Sequence, residues 1–70
     1  MDVDSEGRIV EFLGNQKKHF GKPLISEREI ADAVGLAIYQ TKGCLEVLQS
    51  FSVVEKVNSG QGRVRKWRLL

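Results

Sequence analysis

Tyr39, Gln40, Lys42 and Gly43 fall within one short stretch, and Arg63, Arg65, Lys66 and Arg68 crowd four cations into six positions near the C-terminus. A Gln carboxamide can pair bidentately with adenine, and a Lys ammonium can reach guanine acceptors or a phosphate. Clustered guanidinium and ammonium groups suit a polyanionic backbone. Other chemistry finds little support. A nucleophile needs an adjacent base, a metal needs several ligands, and a phosphate-cradling loop needs glycines leading into a helix. His19 and Cys44 each occur once, without such company, and Gly60 and Gly62 fall between two extended runs. The expectation is a binding protein rather than an enzyme, with no cofactor and no metal. His19 reads as an exposed loop or helix-end residue, and Cys44 as a small buried hydrophobe.

The charge is divided unevenly. The 70 residues carry a net +2, but residues 1–32 hold five Lys or Arg against seven Asp or Glu, while residues 33–70 hold six against two. The basic half contains both of the stretches above, which suits an anionic partner. One cysteine cannot close an internal disulfide, and no run approaches the ~20 apolar residues of a membrane span. These features predict an intracellular protein. The expected location is the cytoplasm, associated with the nucleoid, or the nucleus in a eukaryote. The length and an apolar content of 41% predict one domain over residues 1–70, burying only about 60% of its unfolded surface.

The elements that must position these side chains follow from periodicity and caps. Ile9, Phe12 and Leu13 recur at i, i+3 and i+4 behind Asp2, Asp4 and Glu6, predicting an amphipathic helix over 4–18. Gly21 and Pro23 break the chain, and Leu24 and Ile25 form a short extended segment. Ser26 followed by Glu29 has the capping-box spacing, so a helix starts at 26 and runs to Val34, where Gly35 closes it. A second helix of this pair spans 37–50. At about 100° per residue it collects Thr41, Cys44, Leu45 and Leu48 on one side, and Tyr39, Lys42, Gly43, Glu46 and Ser50 on the other. The first set is core and the second faces out, with Gln40 at its border. Gly43 costs helix stability in the middle of the outward face and permits close approach of another surface. Beyond it, Phe51, Val53, Val54 and Val57 favour strand, residues 58–62 are turn-forming, and 63–69 return with Arg65, Trp67 and Leu69 on one face. A hairpin is predicted over 52–69.

This pattern, EIADAVGL, then IYQTKGCLEVLQS, then FSVVEKV, a glycine-rich loop and RVRKWRLL, resembles the winged-helix family as seen in small bacterial and archaeal transcription regulators. The resemblance covers nearly the whole chain and rests on the order and spacing of elements. It implies an α+β winged helix-turn-helix fold, three helices followed by a C-terminal β-hairpin wing, with Leu24 and Ile25 adding a small strand to the wing's sheet. It also implies double-stranded DNA as the partner, the third helix in the major groove and the basic wing on the phosphate backbone. Winged helices that bind left-handed DNA use an Asn and a Tyr on the third helix and a proline pair in the wing. The matching positions here hold Lys42, Glu46 and no proline.

The expected DNA-binding residues are Tyr39, Gln40, Lys42, Gly43, Arg63, Arg65 and Lys66. Glu46, on the same face, could accept from cytosine N4 but would repel phosphate. Ile38, Tyr39 and Val47 could instead form a patch for a protein partner, making the domain an interaction module in a larger nucleic-acid-processing assembly. A homodimer spanning two half-sites is the other arrangement open to so small a reader. The expected core is Ile9, Phe12, Leu13, Ile30, Val34, Leu36, Thr41, Leu45, Leu48, Val53, Trp67 and Leu69.

Overall fold

In the computed structural model, residues 5–58 and 65–70 are described. Along the chain run α1 (Ser5–Phe20), β1 (Ile25–Ser26), α2 (Glu27–Val34), α3 (Ile38–Ser50), β2 (Val54–Asn58) and β3 (Arg65–Leu69). The three strands form one antiparallel sheet in the order β1, β3, β2. This is the α+β winged helix-turn-helix, with β1 joining the wing's sheet as expected, although over Ile25–Ser26 rather than Leu24 and Ile25.

Local chemistry explains the boundaries. Helix α1 continues two residues past the expected end at 18, with Lys17 and Lys18 placing cations at its negative terminus. Ser26 caps α2, accepting the Glu29 N–H at 3.2 Å, while the Ser26 hydroxyl lies 3.4 Å from the Glu29 carboxylate. Gly35 takes φ 75 at the other end, and both its N–H and that of Leu36 donate to the Ala31 carbonyl. From α1, the Arg8 guanidinium donates to the Val34 carbonyl at 2.7 Å. A cation thereby meets the negative end of α2 and ties two helices together.

Helix α3 begins without a hydroxyl or carboxamide at its N-cap, Ala37. Its N–H is taken instead by the Gln40 side-chain carbonyl at 3.2 Å. Thr41 is fully buried, and its hydroxyl donates to the Ala37 carbonyl at 3.0 Å. After Phe51 the chain turns through Ser52 at φ 62, and the N–H groups of Ser52 and Val53 return to Gln49 and Leu48. That turn sets the register of β2. It leaves Val53 half-buried and points Val54 inward, opposite Leu69.

The core lies between the helices and one face of the sheet. Ile9 and Leu13 enter from α1, Ile30, Ala31 and Val34 from α2, Leu45 and Leu48 from α3, and Ile25, Val54 and Trp67 from the strands. Trp67 occupies the middle of the central strand, with Ile25 beside it in the register. Phe12, Leu36, Val53 and Leu69, expected inside, are half-buried and pack against the margin. Their places are taken by Ile25, Ala31 and Val54. The strand pairing buries Ile25, and the Ser52 turn selects Val54 over Val53. Cys44 is likewise half-buried rather than fully enclosed.

Candidate nucleic-acid interface

The helix-turn-helix places α3 with Thr41, Leu45 and Leu48 against the core and its opposite face in solvent. Tyr39 is 76% exposed, and Gln40, Gly43 and Glu46 are exposed beside it, with Lys42 half-buried at the edge. An added Cβ at Gly43 would meet nothing within 4 Å. The fold therefore gives no internal reason for a glycine at a position where it weakens the helix. Lys42 and Glu46 are the only charged side chains of α3, so the helix carries no net charge.

The cations lie on the hairpin. Arg65, at the end of β3 nearer the turn, is exposed, and Lys66, next to it, is half-buried. Lys66 pairs in register with Ser26 on one side and Val57 on the other. Alternation along β3 puts Arg65 on the Trp67 face and Lys66 on the opposite one. Arg68 is engaged elsewhere, with its guanidinium 2.8 Å from Glu55 directly across the hairpin. Arg63 lies outside the described residues.

Behind Arg65 stands an arrangement that the sequence reading missed. Glu27 is only 8% exposed; one carboxylate oxygen accepts the Trp67 indole N–H at 3.2 Å, and the other lies 4.0 Å from the Arg65 guanidinium. A buried carboxylate at the start of α2 thus holds both the core tryptophan and the base of the wing arginine. The local sequence shows Glu27 merely as an acidic residue in a helix's first turn. Its role depends on β1 pairing with β3, which brings residues 25 and 67 together.

At the other side of the same helix start, Lys22 lies 2.8 Å from Glu29, both about half-exposed. The hydrogen bond from Lys22 is the main influence holding the Glu29 carboxyl below its ordinary value. Bonds from the Ser26 backbone and hydroxyl and the Lys22 charge assist, against a desolvation that acts in the other direction. Lys22 is thus a partner of the α2 cap. Gln40 also has a structural task, since its carbonyl serves the N-terminus of α3. The expected site residues consequently divide into an α3 group, Tyr39, Gln40, Lys42 and Gly43, and a hairpin group, Arg65 and Lys66.

Among the described residues, no helix is long and apolar enough to cross a membrane. Large apolar side chains are exposed at Phe20, Ile38, Val47, Phe51 and Leu70.

Comparison with known proteins places the chain. The model of the family described as FaeA-like protein matches residues 6–70. Among solved structures, the zinc-responsive MarR family member ZitR of Lactococcus lactis superposes with a TM-score of 0.78 at 15% identity, covering 100% of this chain and 44% of that one. A ZitR mutant in complex with DNA gives 0.77 at 17% identity, with coverages of 100% and 44%. A mutant of MepR from S. aureus gives 0.78 at 14%, with coverages of 99% and 48%. At these identities the likeness is one of fold, and the chain spans less than half the length of each of these neighbours. The comparison with curated proteins finds no match. With the family match running from α1 to the end of β3 and the helix and strand order described above, the chain belongs to the FaeA-like protein family and has the winged helix-turn-helix fold.

Proposed function

We propose that this chain is a single winged-helix domain over residues 1–70 that binds double-stranded DNA as a transcription regulator and catalyses no reaction. In this reading α3 enters the major groove, with Tyr39, Gln40, Lys42 and Gly43 toward the bases, and Arg63, Arg65 and Lys66 of the wing meet phosphates. The observation that carries it is the division of labour between an exposed α3 face with no net charge and an adjoining hairpin that bears a cluster of cations. Sequence readers and phosphate contacts have different requirements, and here they occupy different elements. The ZitR neighbour solved with DNA supports the same assignment.

Titration of fluorescent duplexes at several salt concentrations tests it. Each lost phosphate contact lowers the magnitude of the salt slope by about 0.9. Arg65→Ala and Lys66→Ala should therefore flatten the slope and weaken binding similarly across sequences, while Tyr39→Ala should reduce the preference for one sequence over another. Absence of wild-type binding to any duplex at low salt rejects the proposal.

A second reading, a winged-helix module that docks on a protein, is favoured by the exposure of Ile38, Tyr39, Val47 and Phe51 on and beside α3. It predicts no duplex binding even at low salt. A homodimer on two half-sites is compatible with the DNA reading, and sedimentation equilibrium with and without DNA decides it. A monomer under both conditions removes the dimer.

A further inference from the structure

We infer that α3 reads thymine through its C5-methyl group, using an uncharged row of Tyr39, Gly43 and Val47 with Gly43 as the notch that receives the methyl. This inference rests on the DNA reading above and specifies what that surface recognises.

Three observations support it. The row is built at i, i+4 and i+8, one residue per turn on a single face. Tyr39 is 76% exposed and Val47 45%, and the space over Gly43 is open. At 1.5 Å per residue the row covers about 12 Å, near the width of a major groove. Phe51, one turn further along the same row and also exposed, extends beyond that span.

Two of the polar side chains around the row are engaged in the helix's own bonds. The Gln40 carbonyl accepts the Ala37 N–H, and the Ser50 hydroxyl donates to the Val47 carbonyl at 2.7 Å. A bidentate contact with adenine needs the donor and the acceptor of one carboxamide aimed together at the base edge, whereas the cap already occupies one lone pair of the Gln40 carbonyl and turns it toward the Ala37 N–H. Lys42 and Glu46 flank the row with opposite charges. What the row itself offers is an aromatic ring, a bare backbone and a branched aliphatic side chain. In the major groove, the apolar feature that distinguishes a base is the thymine methyl.

The notch gives the arrangement its selectivity. Neighbours one turn apart have Cβ atoms about 5–6 Å from each other, so deleting the middle side chain leaves a recess between Tyr39 and Val47. A methyl group projecting from the groove floor can enter it and contact both walls. A side chain at 43 would hold the helix away from the base edges.

Selection from random duplexes yields the best-bound sequence, in which thymines are then replaced one at a time by deoxyuridine. The replacement removes only the methyl. Wild type should lose about fourfold in affinity at one or two positions, the effect of burying one methyl group. Gly43→Ala, which should remain folded, should bind the thymine duplex at least tenfold more weakly and bind the deoxyuridine duplex equally well. Selection without any sequence preference, or wild-type binding unchanged by every replacement, overturns the inference while leaving duplex binding intact. Discrimination retained in Gly43→Ala overturns the notch. Failure to bind any duplex instead overturns the underlying DNA reading, and the inference with it.

Discussion

Removing the Glu27 carboxylate should reveal how the wing is fastened to the helices. The carboxylate is 8% exposed, and its Oε1 is 3.2 Å from the indole nitrogen of Trp67, itself only 1% exposed. Glu27→Leu keeps most of the volume and leaves that N–H without its acceptor, which costs about 1 to 3 kcal/mol. A domain of this length has a total stability of roughly 4 to 10 kcal/mol. A loss of about 2 kcal/mol should lower Tm by about 8 to 16 °C. Glu27→Gln provides the control, because its carbonyl still accepts from the indole. It gives up only the attraction to Arg65, whose guanidinium is 4.0 Å away and half-exposed, a loss of under about 1 kcal/mol. Trp67 is the sole tryptophan, so its fluorescence during a thermal melt reports unfolding at the site in question. Equal melting of wild type and Glu27→Leu, or equal damage by Leu and Gln, would refute the claim that the indole bond dominates.

The remaining predictions concern the helix ends and the open face. Gly43→Ala fills empty space in an exposed helix interior and should raise stability by about 0.5 to 1 kcal/mol; an unchanged or lower urea midpoint contradicts this. Ser52 adopts φ 62, a region costly to a residue with a Cβ, so Ser52→Gly should stabilise by about 1 kcal/mol, read from the same midpoint. Glu29 has a depressed folded-state pKa relative to its ordinary value of 4.5. Its favourable contribution is fully present above that value and is lost as pH falls through the depressed one. The stability difference between wild type and Glu29→Gln should thus be constant near neutrality and shrink below about pH 4.5, a small effect because both partners are exposed. A difference that grows with acid would show that the Lys22 bond does not govern the group.

What was legible in the sequence is what local rules control. Ser26 with Glu29 marks a helix start through a bond spanning three residues, and Gly35 marks its end through a backbone conformation that favours glycine. The two helices of the motif could be placed within a residue, and the outward face of α3 followed from its period. The misplaced core residues share a different dependence. Ile25 is buried because it pairs beside Trp67, 42 positions away in the chain, and Val54 replaces Val53 because a left-handed serine shifts the alternation. Glu27 was invisible as a partner of Trp67 and Arg65 for the same reason. Its own helix shows it only as an acidic residue of the first turn, and only the register of β1 on β3 brings the indole to it.

The site was legible where it breaks a local rule and ambiguous where it obeys one. Gly43 is a poor choice for the middle of a helix, and the structure deepens the anomaly by showing open space over it. Gln40 is a good choice on two grounds, as a base reader and as a helix cap, and only the bond to Ala37 shows which the free protein uses. That bond gives Gln40 two states with different consequences. While capping, its carbonyl is turned toward the Ala37 N–H with one lone pair taken; released, it could aim donor and acceptor together at adenine, but the Ala37 N–H at the start of α3 would lose its partner. The cost of that release, about 1 kcal/mol for an exposed hydrogen-bonded cap, opposes adenine reading by Gln40 and leaves the uncharged row beside it as the surface that can contact bases without rearranging the helix.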